Sequence, residues 1–319
     1  MLQSENSTLR LIEHAITSLS TGAEAQKPLQ APRAIWVGER NRPCHQRELA
    51  GLSFRRFSPV SLAKCALPIL LAACPVFGQS SIPTSDPQAL SIAAQTISKM
   101  IGPKAILDVT LVGDVTWFVG DPETGTATLE ALGTGESRLD LELSNGKRSE
   151  IRDSSTGSPV GEWMAKDGTT GEIASQNMAT DPVWFFPALS SLAGGTNIVL
   201  SYAGEETLNG EAVQHIRSFR YGASQSPPGM PTAQELSSVD FYLDATTGLP
   251  VATVFNEHPD NNAAADIAVE IDFSNYQSIN GILLPMHVVK LRNGSPLIDF
   301  TVTNAEFNTG LTLSQFSIN

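Results

Sequence analysis

The 319-residue chain has an ordinary apolar content of 41%, a low charged content of 17% and a formal net charge of −13. The charge is divided unevenly, because residues 1–79 hold nine Lys/Arg against five Asp/Glu, whereas residues 80–319 hold eleven against twenty-eight. An acidic body repels phosphate backbones, which argues against nucleic acid as a partner. All three cysteines, Cys44, Cys65 and Cys74, lie in the basic part, so we expect no disulfide and no thiolate metal site in the body.

Residues 53–79 have the pattern of a signal peptide. Arg55, Arg56 and Lys64 accompany an almost wholly apolar stretch at 65–77, which is too short to span a bilayer. Two processing sites stay open: a lipobox-like "LAAC" at 71–74, which would make Cys74 a lipidated N-terminus, and ordinary cleavage after Gly78. We interpret residues 1–52, which are polar and patternless, as a disordered tail or a mis-assigned start. The expected protein is exported, in the periplasm or associated with the outer membrane, and has one domain over residues 80–319.

The domain begins with a predicted helix at residues 85–102. Ser85 or Asp86 serves as its N-cap, Pro87 occupies the first turn, and Gly102-Pro103 ends it. Its apolar residues recur at helical spacing and predict a buried stripe of Leu90, Ala93, Ala94, Ile97 and Ile101.

From residue 105 onward, apolar and polar residues alternate with a period of two, which predicts a long series of strands. Asn-Gly pairs at 145–146 and 209–210 are typical of hairpin turns. The interruption at 181–195 reads as a helix with Asp181 as N-cap and Gly194-Gly195 at its end. This order predicts an α+β domain: a large, curved antiparallel sheet with an N-terminal helix and a central, lid-like helix.

The predicted sheet implies a cavity. Its apolar face must be covered or closed, and two helices cannot cover about ten strands unless the sheet curls. The cleft left between sheet and helix suits an apolar ligand, since burial of each CH₂ group contributes about 0.8 kcal/mol. The candidate lining residues are aromatic: Trp117, Trp163, Trp184, Phe185, Phe186 and Phe241. The alternative is that these rings fill the core of a structural or adhesive module.

The C-terminal part, from residue 197 on, resembles LolA/LolB-like proteins, the periplasmic lipoprotein carriers and their relatives. The resemblance rests on three patterns. The first is an Asp that leads through a turn into G-L-P, from Asp244 to Pro250. The second is a Tyr followed by Gly, an apolar pair and Pro, which are Tyr276, Gly281, Leu283, Leu284 and Pro285, and the third is a closing N-x-G-L, from Asn308 to Leu311. It implies an incomplete β-barrel that helices cover and that encloses an apolar cavity. In the carriers, an arginine ties the lid to the barrel, and no arginine of this body is matched to it. The expectation is therefore broader than lipoprotein transport: the protein binds a lipid or acyl chain, with envelope lipoproteins or membrane components as partners.

Catalytic signatures are sparse. The sequence lacks the G-x-S-x-G, H-E-x-x-H and G-x-x-x-x-G-K-[ST] motifs. His215 and His287 lie in predicted strands, and His258 could form a metal site with Asp260 and Asp266.

Glu270 and Asp272 share one face of a predicted strand. Paired carboxylates can act as acid and base in glycoside cleavage, although they are more often a solvated face. We therefore expect a non-enzymatic protein with no metal and no cofactor, and keep a carbohydrate-active enzyme as the less favoured alternative.

Overall fold

The computed structural model describes residues 83–133, 136–153, 160–178, 180, 192–193, 197–221 and 231–317. In these segments, no helix combines the length and the apolar content that crossing a membrane requires. The predicted signal peptide with Cys74, and the predicted helix at 181–195 with Trp184, Phe185 and Phe186, lie outside the described residues. The division into residues 1–52, 53–79 and 80–319 therefore stays a prediction.

The first helix, α1, spans Pro87–Ile101 and is capped as the sequence predicts. The Asp86 side chain accepts a hydrogen bond from the Gln88 backbone amide at 2.8 Å, and Gly102 ends the helix at φ 57°. A second, short helix, α2, spans Ala233–Ser237 and was not predicted. Its signal in the sequence was the capping box formed by Thr232 and Glu235.

In the segments that the structure describes, thirteen strands form two consecutive arms. The first arm contains β1 Asp108–Trp117, β2 Glu123–Leu132, β3 Ser137–Leu143, β4 Gly146–Asp153, β5 Val160–Met164 and β6 Thr170–Glu172. The second contains β7 Ile198–Leu208, β8 Glu211–Arg220, β9 Val239–Asp244, β10 Pro250–Glu257, β11 Ile267–Ile279, β12 Ile282–Arg292 and β13 Ser295–Phe307. Single 3₁₀ turns occur at Ser175–Asn177 and Leu313–Gln315.

All strands belong to one antiparallel sheet that is not closed into a barrel. Their order is β6-β5-β4-β3-β2-β1-β13-β12-β11-β10-β9-β8-β7, so each arm is a meander and β1 pairs with β13 at the seam. This arrangement confirms the predicted fold class, in which a large antiparallel sheet dominates and helices are few.

Hydrogen bonds after β6 show that the sheet is strongly curved. The Asn177 side chain donates to the His258 carbonyl oxygen and accepts from its amide, each at 2.7 Å. Residue 258 follows β10, which lies nine strands from β6 and would be about 43 Å away in a flat sheet. The five residues from Glu172 to Asn177 reach at most about 18 Å. The sheet therefore curls into a trough, and Ile173–Met178 connects its two walls.

Side chains alternate between the inner face of the trough and its outer face. The inner face holds most of the core, for example Leu129, Ile271, Leu284 and Phe300, all at most 1% exposed. Helix α1 packs on this face, and Thr96 donates a hydrogen bond to the Gly248 carbonyl oxygen in the β9–β10 turn.

The buried stripe of α1 differs from the predicted one. The residues it buries are Ala89, Ala93, Thr96, Met100 and Ile101, whereas the predicted Leu90 is 41% exposed. Small side chains face the sheet because they allow the helix to approach it closely, and a stripe chosen by hydrophobicity alone passes over Ala89 and Thr96.

Pro285 lies in β12, an internal strand of the sheet. The pairing of β12 with β13 begins only at His287, so on that side the strand has no partner at residue 285. Pro285 is paired with Tyr276 of β11, and its missing N–H costs no hydrogen bond to β13.

The residues after β13 are fastened to the start of β1. The Asp108 carboxylate, 4% exposed, accepts hydrogen bonds from the backbone amides of Thr309 and Gly310 at 2.7 and 2.8 Å. The Asn308 amide donates to the Ala105 carbonyl oxygen at 3.0 Å, and its side-chain oxygen accepts from Leu107 at 2.6 Å. Burial alone would raise the pKa of Asp108, but these donors outweigh it and lower the pKa.

We expect Asp108→Asn to lower the free energy of unfolding at pH 7 by about 2–3 kcal/mol, because an amide presents its own N–H groups to backbone donors. Since the pKa of Asp108 is lowered in the fold, its contribution is complete above the ordinary carboxyl pKa and is lost as pH falls through the folded value. Urea unfolding at pH 7 and at pH 3 measures both effects. Asp114→Asn, an exposed position on the same strand, is the control and should change stability little. Equal stabilities of the two variants at pH 7 would contradict this role.

Candidate functional site

The inner face of the trough is the candidate site, and its two ends differ in character. At one end, α1 reaches the β9–β10 and β11–β12 turns, where Lys99 donates to the Thr247 carbonyl oxygen and Lys104 to that of Asn280. We call the opposite end, which carries the β1–β2, β5–β6, β10–β11 and β12–β13 connections, the charged end. Its inner face combines aromatic rings with buried ionic groups.

Trp117, on β1, begins the charged end. The Arg148 guanidinium carbon lies 5.2 Å from the centroid of its ring, a cation–π arrangement. Glu123, directly opposite Trp117 on β2, is 4% exposed and lies 3.7 Å from Arg148 and 3.5 Å from Lys166. The Trp117 Nε1, Arg148 Nε and Glu123 Oε2 atoms are buried and have no hydrogen-bond partner.

Arg152 lies on the same face of β4, four residues beyond Arg148. It is 5% exposed and forms an ion pair with Glu150. One of its guanidinium nitrogens, Nη1, is buried without a partner. Alternation along β4 thus places Arg148, Glu150 and Arg152 in one row on the inner face, opposite Trp163 and Gly161 of β5.

The other wall contributes a buried ionic triad. Glu257 at the end of β10 and Lys290 on β12 are each 1% exposed, and Lys290 Nζ lies 2.9 Å from Glu257 Oε1. Arg292 binds the second carboxylate oxygen at 2.5 Å, while its Nε is buried without a partner. Burial opposes ionisation of Glu257, but the two cations outweigh it and lower the pKa of this carboxyl.

Arg220 ends β8 on the inner face, beside Ile198 of β7. Burial lowers the pKa of its guanidinium, and its Nε has no hydrogen-bond partner. In the part of the chain that the structure describes, the interior therefore presents four unpartnered guanidinium N–H groups from three strands: two from β4, and one each from β8 and β12.

Of the predicted lining residues, Trp117, Trp163 and Phe241 are described, and all three lie on the inner face. Trp117 is half-buried at the charged end. Trp163 packs over Gly171 of the edge strand β6, where an added methyl group would lie 2.4 Å from the indole ring. Phe241 is 1% exposed and forms part of the floor between β8 and β10.

The predicted strand histidines lie on the outer face and have polar partners. His215 is 6% exposed, and its two ring nitrogens lie 2.7 Å from Glu206 and 2.7 Å from Asp240. The hydrogen bond with Asp240 is the main reason that the pKa of His215 is raised. His287 contacts Asp299 at 2.9 Å and Ser274 at 3.1 Å. These contacts are cross-strand pairs that stabilise the sheet.

The carboxylates of Glu270 and Asp272 also share the outer face, two residues apart on β11. Burial, and then the charge of Glu270, raises the pKa of Asp272 to about 6. The pair thus holds a proton between them under mildly acidic conditions. Burial and the repulsion between these two neighbours together account for the raised pKa of Asp272.

His258 lies at the mouth of a separate cavity of about 530 Å³ near the outer face, bounded by α2 and the 258–266 loop. His258 Nδ1 lies 3.0 Å from the Ala265 carbonyl oxygen and 3.5 Å from Asp266. Within the described segments, no three His, Cys, Asp or Glu side chains are grouped as metal ligands would be. The structure thus brings Asp266, but not a full ligand set, to His258.

No protein-family model matches the chain, and neither does any curated protein sequence. Solved structures do show similarity. A LolA superfamily protein from Nitrosomonas europaea is 8% identical, with a TM-score of 0.44 over 72% of this chain and 97% of that one. A DUF1329 family protein from Desulfovibrio piger is 9% identical, with a TM-score of 0.45 over 74% and 98% of the two chains.

A domain from Vibrio parahaemolyticus named for outer membrane lipoprotein sorting is 14% identical, with a TM-score of 0.43 over 72% of this chain and 96% of that one. A LolA superfamily protein is thus among the structures that this chain resembles, as the sequence predicted. At these identities the similarity concerns the fold, and TM-scores below 0.5 do not extend it to a ligand.

We expect Asp272→Asn to stabilise the protein at pH 7 by about 1 kcal/mol, a figure reduced for partial exposure of the site. The pKa of Asp272 is raised in the fold, so between about pH 4 and pH 6 the folded protein keeps a proton that the unfolded chain has already released. The wild type therefore loses stability as pH rises through this range. The advantage of the variant should therefore grow from pH 4 to pH 6 and then level off. Chemical unfolding at several pH values measures the difference in free energy of unfolding between the variant and the wild type. Glu270→Gln is the companion variant, in which stability should depend less on pH between pH 4 and pH 6. A difference between Asp272→Asn and the wild type that does not change with pH would refute this account.

Proposed function

We propose that this protein is a non-enzymatic, exported protein of the cell envelope that holds a hydrophobic ligand, a lipid or an acyl chain, in the trough. The observation that carries the proposal is the curl of the sheet, which turns the inner faces of its two arms towards each other. Such a trough can bury a hydrocarbon chain, and each CH₂ group that leaves water contributes about 0.8 kcal/mol.

Two features of the inner face support the presence of space between the walls. Helix α1, the one described helix longer than five residues, is about 22 Å long and is joined to the second arm, at β7 and the β9–β10 and β11–β12 turns. In the first arm, the inner face of β2 includes two small side chains, which occupy little volume: Ala127 and Ala131.

A structural module with a filled core is the second candidate. It is favoured by the floor of the trough, where Phe241, Leu243 and Ile271 are at most 1% exposed. The two candidates differ in what lies above this floor. Trp184, Phe185 and Phe186 belong to the ligand site in the first candidate and to the core in the second. The similar structures do not decide between them, because TM-scores near 0.44 leave those chains too different to transfer a ligand.

We expect the purified wild-type protein to bind anthroyloxy-labelled stearic acid in a saturable manner. Trp117→Ala should weaken this binding about tenfold, because a half-buried indole contributes apolar surface to the ligand, while the protein stays folded. Fluorescence titration gives the affinity, and circular dichroism shows that the fold is retained. Leu313→Ala, at a position 57% exposed outside the sheet, is the control.

Trp184→Ala and Phe186→Ala should behave as Trp117→Ala does. In contrast, Phe241→Ala should cost about 3–5 kcal/mol of stability, because this ring is already buried in the absence of ligand. If the wild type binds no probe, and if mass spectrometry of an organic extract of detergent-free protein finds no lipid, the filled module replaces the lipid-binding protein.

A further inference from the structure

Each of four arginines on the inner face keeps one buried N–H group for which the described residues provide no partner. Buried guanidinium N–H groups without partners are costly, because they have lost water and gained nothing in return. Here four such groups face one interior, and we call them the arginine set: Arg148, Arg152, Arg220 and Arg292. A core filled only by apolar side chains would leave all four unpartnered.

The charge of this interior is positive although the body of the protein is acidic. The arginine set and Lys290 supply five cations, whereas the buried or half-buried Glu123, Glu136, Glu150 and Glu257 supply four carboxylates. In residues 80–319 as a whole, the twenty-eight acidic residues outnumber the eleven basic ones. Cations have therefore been concentrated where the sheet encloses them, and a low-dielectric surrounding strengthens their attraction for an anion.

The sequence contains few further carboxylates that could neutralise the excess. The internal residues whose side chains the structure does not describe include only two acids, Asp153 and Asp181. The excess of positive charge is therefore small, and the need for a partner rests on the four buried N–H groups that have none. An anion from outside the chain is the simplest partner for the arginine set.

The geometry also indicates what the rest of the ligand is like. Arg148 stands over the ring of Trp117, so its guanidinium lies at a boundary between apolar and ionic surface. From there, the inner face continues through Val115, Ala127 and Leu129, all at most 3% exposed, towards the end that α1 covers. An apolar chain along this strip would place a head group beside Arg148.

We infer that the charged end of the trough binds the anionic head group, a carboxylate or a phosphate, of an amphiphile whose chain lies along the inner face. This inference rests on the proposed function and narrows it from any hydrophobic ligand to an acidic one. The planar guanidinium donates paired N–H groups that match the oxygens of either anion. The Trp117 Nε1–H, which has no partner, supplies a further donor at the same place.

The test compares probes that share one chain and differ at the head. Anthroyloxy-labelled stearic acid and its methyl ester are titrated into the wild type at pH 8 and low salt, where the acid is ionised. We expect the acid to bind at least about tenfold more tightly, and 0.5 M NaCl to reduce that preference because salt screens the interaction. Dodecyl phosphate, dodecanoic acid and dodecanol share a second chain and serve as competitors below their micelle-forming concentrations. Stronger competition by the phosphate than by dodecanoic acid assigns a phospholipid-like head, the reverse assigns a fatty acid, and dodecanol is the uncharged control.

Variants locate the preference. Arg148→Gln should bring the affinities for acid and ester within about threefold of each other, whereas Arg148→Lys should keep part of the preference. Arg217→Gln makes the same change of charge on the outer face, where the side chain is 49% exposed, and should leave the preference intact. Because Arg148→Gln could disturb folding, the salt dependence and the acid-to-ester ratio of the wild type test the inference without it.

The possible results separate the two proposals. Equal binding of acid and ester by the wild type overturns the anionic site and leaves the lipid-binding function in place. Binding of neither probe overturns the proposed function itself. An equal loss of preference in Arg217→Gln and Arg148→Gln also overturns the site, since it shows a general effect of net charge.

Discussion

The curl of the sheet is the constraint on which the other features depend. It is fixed where the five residues after β6 must reach the end of β10, and where Asn177 forms a pair of hydrogen bonds with the His258 backbone. Because this connection is short, the two arms face each other, the inner face becomes an interior, and charged side chains on either wall are removed from water. Without the curl, the same strands would form a broad sheet with one apolar face exposed to solvent.

The interior is costly in the form described, and this cost distinguishes it from an ordinary core. The triad of Glu257, Lys290 and Arg292 is largely self-compensating, because one carboxylate serves two cations. Arg148 and Arg152 are less well served, since each retains a buried nitrogen without a partner. A buried ionic group that is incompletely paired destabilises a fold, so its place inside the trough calls for a compensating function.

The sequence predicted the fold well, because alternation with a period of two and Asn-Gly turns are local signals. It predicted neither the ionic interior nor the exact buried stripe of α1. Lys290 and Arg292 stand in the apolar stretch "MHVVKLR", where both strand faces carry apolar residues, so periodicity could not tell that the charges point inward. Arg148 and Arg152 lie in "GKRSEIR", which reads as a solvated strand until the curl brings a second wall across from it. In the sheet, Arg148 and Glu150 of β4 lie opposite Leu141 and Leu139 of β3, on the same face. The alternation along the two strands was therefore the sequence signal that these charged side chains share the apolar face.

The seam between β1 and β13 bears on how such a chain can fold. Of the twelve described strand pairs, eleven join strands that are neighbours in sequence, and only the seam joins residues near 110 to residues near 305. Each meander can therefore form soon after its own strands emerge, whereas the seam must wait until the last strand is present, and closing so long a loop is slow. During that interval both half-sheets expose apolar inner faces and free edges. The hydrogen bonds from residues 308–311 to Asp108 and its neighbours then act last, locking the two halves together once synthesis has reached them.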